Sequence, residues 1–312
     1  MSAQARYRAF CAAAPDVPVF AQAWYLDACC EGGAWDAVLV QDDGRDVAAL
    51  PYFFKQKGPF RYATMPMFVK MLGPYLLPEF RGALRREHEL LQALIVQLPA
   101  FAAFKQNFYP SVTNWLPFYW QGYRQTTYYT YRLYELQDLA RVEAGLGTGI
   151  RRDIRLARQR LRVVHDLPLS TFYAVNQLSF TRQGLTAPYS EARLRRLDAA
   201  LAARDARQLF FAVDAEGHVH SVAYLIWDAT TAYYLLAGDD PARRASGAGM
   251  LLAWEAIRYA SAVLGLRCFD FEGSMLPGVE RVRVRFGAVQ TPYFFVWKYN
   301  SRAFELLEKL KP

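Results

Sequence analysis

The sequence predicts an α+β protein with mixed sheets, built as two similar units in tandem and joined by an arginine-rich helix. Three observations carry this reading. The chain has 312 residues, enough for two ordinary domains, since single cores stop growing beyond roughly 250 residues. An order of helix, two-stranded hairpin, further strand, helix and strand occurs in each half, as a repeat of fold without a repeat of sequence. Between the halves lies a helical pattern, residues 150–163, with Ile150, Ile154, Ala157 and Leu161 on one stripe. Arg151, Arg155, Arg158 and Arg162 form the opposite stripe.

In the first half, residues 15–30 read as a docking helix with Phe20, Trp24 and Leu26 towards the core. Trp35–Val40 and Val47–Phe54 flank an Asp42-Asp-Gly44-Arg45 turn and read as a β-hairpin. Residues 85–98 form an amphipathic helix with Leu90, Leu91, Leu94 and Ile95 inward. Residues 104–108 and 125–136 read as strands. In the second half, helices are expected near 169–184 and 191–204, followed by a hairpin from Gln208 to Trp227 around Asp214-Ala-Glu-Gly217. The expected boundary divides residues 1–137 from 138–312.

Hydrophobic residues make up 53% and charged residues 21%, which excludes a disordered chain. The net charge of +8 favours an anionic partner: a nucleotide-bearing cofactor, RNA or an acidic membrane surface. Four cysteines show no Cys-x-x-Cys and no paired framework, so reduced thiols and a cytoplasmic setting are expected. No apolar run reaches the roughly 20 residues that span a bilayer. Peripheral membrane contact stays open.

The most informative stretch runs from Thr231 to Gly287. A β-type run, Thr231–Ala237, is broken by Gly238-Asp-Asp-Pro241 and followed by Arg244-Ala-Ser-Gly247-Ala-Gly249 and a helix. A helix start leaves about four backbone N–H groups unpaired and carries partial positive charge. Glycines there admit a diphosphate close to the backbone, and Arg243 and Arg244 add charge. The dinucleotide fingerprint needs a third glycine, which this loop lacks.

This loop resembles the coenzyme A loop of the GNAT acyltransferase superfamily. Further pieces lie along nearly the whole chain: Pro51-Tyr-Phe-Phe-Lys55, Leu72-Gly-Pro-Tyr75, Asn114-Trp-Leu-Pro117, Gly122-Tyr123 and Thr130-Tyr131. Ile150–Ala157, Asp270-Phe-Glu-Gly273-Ser274, Gly278 and Arg285-Phe-Gly-Ala288 complete them. In this joint order they resemble the tandem-GNAT group of Fem-type (FemAB-like) aminoacyltransferases of peptidoglycan bridges and their acetyltransferase-like bacterial relatives. Fem-type enzymes usually carry a Phe-Lys pair before the Phe-Gly; here the pair is Val282-Arg283, a cation of different geometry that does not shed its proton.

The resemblance implies an N-acyltransferase taking an acyl group, in the first instance acetyl, from acyl-coenzyme A to an amine, without a metal. Arg243, Arg244, Gly247, Ala248 and Gly249 would hold the donor. Leu235, Leu236 and Ala237 would hold its acyl arm by backbone pairing. Asp270 and Glu272, expected on one strand face, are the candidate bases, against a structural role in pairing Arg267, Arg281 or Arg285. Tyr234, Tyr233 and Tyr293 are candidate proton donors, against plain packing. His218 and His220 share a strand face without an evident third metal ligand. Cys268 reads as a small buried hydrophobe rather than a nucleophile.

The alternative is an aminoacyl-tRNA-dependent transferase acting on a peptidoglycan precursor or small amine, with the arginine stripe facing tRNA. By analogy with the Fem group, Lys55, Lys57, Arg61 and Lys70 would then hold an acidic acceptor. A third reading is a scaffold without activity; the first unit lacks a phosphate loop and is expected to be degenerate.

Overall fold

The computed structural model describes residues 1–182 and 184–310. Two compact units emerge: Met1–Tyr128 together with the chain from Pro292 on, and Tyr129–Thr291. Among the described residues, no helix is long and apolar enough to cross a membrane.

The first unit opens with α1 (Ala3–Ala13) and α2 (Ala23–Cys29), separated by a short turn of 3₁₀ helix at Val19–Ala21. The helix expected over 15–30 is shorter: Pro18 caps the 3₁₀ turn, since a proline inside a helix lacks the N–H it needs, and Gln22, at ψ 133°, divides that turn from α2. The hairpin stands where expected, as β1 (Ala34–Asp42) and β2 (Arg45–Lys57). Its two loop residues, Asp43 and Gly44, both have positive φ (47° and 77°), the backbone that matches strand twist in tight hairpins. β3 (Phe60–Thr64) and the two-residue β4 (Tyr75–Leu76) both pair with β2. α3 (Leu84–Gln97), β5 (Ala103–Asn107) and the short α4 (Leu116–Trp120) follow.

β6 (Arg124–Tyr134) carries the chain into the second unit. There α5 (Leu139–Gly145), α6 (Thr148–Arg158), β7 (Arg162–Val164), α7 (Leu169–Thr181) and α8 (Glu191–Ala202) precede the hairpin of β8 (Arg207–Val213) and β9 (Val219–Trp227). β10 (Thr231–Asp239), α9 (Ala248–Ala262), β11 (Cys268–Asp270) and α10 (Pro277–Arg285) complete the unit. Its strands lie in the order β6-β11-β10-β9-β8-β7. Neighbours are antiparallel except β10 and β11, which are parallel and connected through α9. β12 (Val289–Tyr299) returns the chain to the first unit, where its last five residues pair with β5 and α11 (Arg302–Lys309) follows. That pairing is why the last 21 residues cluster with 1–128 rather than with the half expected to start at residue 138.

The helix expected over 150–163 ends at Arg158. The N–H groups of Arg160 and Leu161 both close on the Ala157 carbonyl, and Arg162-Val-Val164 then pairs with Phe211–Val213 as an edge strand. β-branched residues fit a pleated surface better than a helix, so Arg162 leaves the arginine stripe. α9 is buried nearly all round: Leu251, Leu252, Ala253, Trp254, Ala256, Ile257 and Ala260 are each at most 2% exposed. It packs with Ile150, Ile154 and Ala157 of α6 and with Phe210, Ala223 and Leu225 of the sheet in one core cluster.

In the first unit, Phe304 of α11 is 1% exposed and meets the rings of Phe60 and Tyr62 at 5.4 and 4.9 Å. Phe304→Ala is expected to cost about 3–5 kcal/mol, read as a lower midpoint in urea unfolding with an unchanged slope.

Candidate active site

β10 and β11 pair over only three residues each, Thr231–Tyr233 against Cys268–Asp270. Beyond that point β10 continues beside β9, with an irregularity between Tyr234↔Leu225 and Leu236↔Tyr224 that leaves Leu235 as the bulged residue. A bulge takes one residue out of the ladder and re-aims the strand.

Asp270 marks the parting point. It is fully buried; Arg132 Nε donates to its Oδ2 at 2.7 Å, Thr130 Oγ1 donates to its Oδ1, and the Glu272 N–H donates to Oδ1 at 2.8 Å. The partner is thus Arg132 of β6, none of the three arginines expected from sequence. A buried carboxylate so engaged holds backbone in place, which leaves little room for it to collect protons from an acceptor. Nor do Asp270 and Glu272 share a strand face. β11 ends at Asp270, and Glu272, 6% exposed, has φ 60°. A left-handed non-glycine residue costs on the order of 1–3 kcal/mol and is found preferentially at functional sites.

α10 begins with Pro277 at its first turn, where the missing N–H costs nothing, and delivers Arg283. The guanidinium lies 4.8 Å from the Phe271 ring and 5.6 Å from the Tyr234 ring. Burial lowers the Arg283 pKa, while Tyr234, Glu272 and Asp270 hold its charge. Burial raises the Tyr234 pKa, against the pull of Arg283, so the phenol stays protonated at neutral pH. Tyr234, Phe271, Glu272 and Arg283 therefore form one cluster. Of these, sequence reasoning missed Phe271 as a site residue and saw Arg283 only as a departure from the family's lysine.

The donor loop lies at the other end of β10. Gly247 caps α9 with φ 75°, and a Cβ on it would stand 2.9 Å from the Asp153 carbonyl oxygen, so glycine is required twice over. A Cβ on Gly249 would stand 2.8 Å from Asp239 Oδ1. Ala248 is buried, and its N–H donates to Ser246 Oγ at 3.3 Å. Arg243 pairs with Asp240 at 2.5 Å; Arg244 is exposed, its Nε 3.9 Å from Asp239 Oδ2. A cavity of ≈ 410 Å³ adjoins this corner, lined by Gly247, Gly249, Met250, Arg152, Asp153, Asp239, Arg244 and Arg285 among others. Arg152, Asp153 and Arg285 sit inside quoted family segments, which was the available signal for them; Asp239 carried none. On the expected acyl-arm strand, Leu236 is half-buried and Ala237 exposed, and the Ala237 carbonyl already accepts from Asn176 Nδ2 at 2.8 Å.

Other candidates fall elsewhere. Tyr233 Oη donates to Asp228 at 2.9 Å, and Tyr293 belongs to the first unit, against Tyr128. Burial raises the Cys268 thiol to about 11. His218 Nδ1 and His220 Nε2 both meet Asp214 Oδ2, at 3.1 and 2.9 Å; Asp214, Glu216 and His218 bring potential ligand atoms within 4.8 Å of one another.

Two α+β units in tandem, the second with a parallel strand pair connected through a glycine-capped helix, define the class of fold. Residues 147–281 match the family model of the acetyltransferase (GNAT) domain, so the second unit carries a GNAT domain. The whole chain has the Fem-like tandem GNAT fold. It superposes on the crystal structure of FemX with a TM-score of 0.73 at 13% identity, covering 98% of both chains. L-PGS from Bacillus licheniformis gives 0.58 at 12% identity, covering 98% of this chain and 94% of that one. A tandem GNAT protein from the clavulanic acid biosynthesis pathway gives 0.54 at 13% identity, covering 94% and 92%. No curated protein matches the sequence.

Removing one member of the buried pair leaves the other charge uncompensated. Arg132→Ala is expected to cost about 3–5 kcal/mol, and a paired Arg132→Met, Asp270→Leu exchange less; denaturant midpoints of the three proteins decide this. Cys268, with a thiol near 11, is expected to resist iodoacetamide at pH 8 in the folded state and to react once unfolded, which peptide mapping reads.

Proposed function

We propose that this acyltransferase moves an acyl group from an acyl-coenzyme A to an amine, with the donor held in the second unit. The observation that carries the reading is the glycine-bearing start of α9 and the cavity beside it. There Arg152, Arg244 and Arg285 line the adjoining cavity. The donor's diphosphate would take the α9 start and these cations. Its acyl arm would follow β10 past the Leu235 bulge, whose backbone N–H would stabilise the oxyanion.

The acceptor amine loses a proton to the Glu272 carboxylate and attacks the thioester carbonyl. The C–N bond forms, the C–S bond breaks, and the thiolate takes a proton from Tyr234 Oη, which recovers it through solvent. Asp270 and Arg132 hold Glu272 in place through the Glu272 N–H bond. Arg283 stabilises negative charge beside Tyr234 and, as a guanidinium, takes no part in proton transfer. The first unit serves the acceptor or the fold rather than the donor.

A second reading, an aminoacyl-tRNA donor and a peptidoglycan-precursor or small-amine acceptor, is favoured by one observation. A half-buried cation, Arg283, occupies the position at which Fem-type enzymes carry lysine, in a fold matching FemX over 98% of both chains. Calorimetry separates the two. Coenzyme A is expected to bind, and Arg285→Ala to weaken it about tenfold through one lost charge-assisted contact; no heat at millimolar ligand removes the acyl-coenzyme A donor. With an amine acceptor, Glu272→Gln is expected to lower kcat by about 10²–10⁴-fold with the fold intact. Under the second reading, charged tRNA is retarded in a gel, steeply salt-dependent and weakened by Arg151→Ala.

A further inference from the structure

A carboxylate of the chain itself already stands beside the start of α9. β10 ends at Asp239, which is half-exposed and lines the same cavity as Gly247 and Gly249. Its Oδ1 accepts from Ser221 Oγ at 2.7 Å and stands 2.8 Å from where a Cβ on Gly249 would be. Its own N–H is tied to Ser179 Oγ at 3.0 Å, so the residue is pinned by backbone and side chain together. The nearest cation, Arg244 Nε, is 3.9 Å from Oδ2, outside hydrogen-bonding distance. A carboxylate so placed repels a second anion arriving there.

We propose that Asp239 is the donor-specificity residue of this site: a resident anion that lowers affinity for diphosphate-bearing ligands. It makes their binding depend on swinging the carboxylate away from Gly249 towards Arg244. The inference rests on the donor reading above for its consequence, but not for its test. Gly249 acquires a second role. Its missing side chain makes room for the Asp239 carboxylate in the free protein and for a diphosphate oxygen once that carboxylate moves. Selectivity follows from sign: a pantetheine ester lacking the diphosphate meets no repulsion, whereas coenzyme A does.

Inorganic pyrophosphate is the direct probe, titrated by calorimetry into the wild-type chain, Asp239→Asn and Ser221→Ala. The isosteric Asp239→Asn is expected to bind pyrophosphate at least tenfold more tightly than wild type. Ser221→Ala, which frees Oδ1 to move, is expected to show a smaller gain and guards against a folding defect in the first variant. Pantetheine affinity is expected to stay within twofold throughout. Equal or weaker pyrophosphate binding by both folded variants overturns the proposal. Coenzyme A, titrated in parallel, reports on the donor reading alone: a pyrophosphate gain with no coenzyme A binding in any variant upholds the resident anion and removes the acyl-coenzyme A donor.

Discussion

The buried ion pair of Arg132 and Asp270, with Thr130 as its third member, fixes the geometry on which the site depends. Two opposite charges inside a sheet are tolerable only when each satisfies the other with good geometry. Here that requirement locks β11 to β6 in a single register, Asp270 opposite Arg132. A one-residue slip would put the two charges on opposite faces of the sheet. With β11 held from one side, its parallel contact with β10 is confined to three residues. The next residues carry the cluster around Arg283: Phe271, whose N–H still donates to the Tyr131 carbonyl, and Glu272.

α9 supplies the complementary constraint. Its small residues, Ala253, Ala256 and Ala260, let the helix sit close to the sheet, and its leucines and Trp254 close the core. Close packing gives such a helix little latitude to shift. Its first turn therefore presents the donor corner as a fixed feature. The alternation of charges around that corner, Arg152 and Asp153, Asp239 and Arg244, is a local electrostatic arrangement. The net charge of +8 says nothing about it.

What the sequence disclosed followed from periodicity. The hairpins, the buried helix with glycine at its start, and the repeated element order were all legible because each is set by local patterns. The arginine-striped helix was overestimated because a strand partner, Val213–Phe211, claimed Arg162-Val-Val164; tertiary pairing outweighs a weak helical preference. The site was legible where backbone requirements wrote it, as at Gly247, and illegible where side chains from distant segments meet. Arg132 lies 138 residues from Asp270, and no spacing rule connects them. Asp239 reads in sequence as a turn residue; only the closeness of Gly249 exposes its placement. Glu272 looked like the strand partner of Asp270 because alternation was assumed to run on, whereas its positive φ ends the strand.

The two units are not beads on a string. The chain enters the second through β6 and returns to the first through β12, so the second is an insertion within the first. Residues 1–128 lack the strand that completes β5 until the segment from Pro292 onward has been added. In vectorial synthesis the GNAT domain can fold while its host waits with an unfinished sheet edge, an exposed aggregation hazard that burdens the first unit alone.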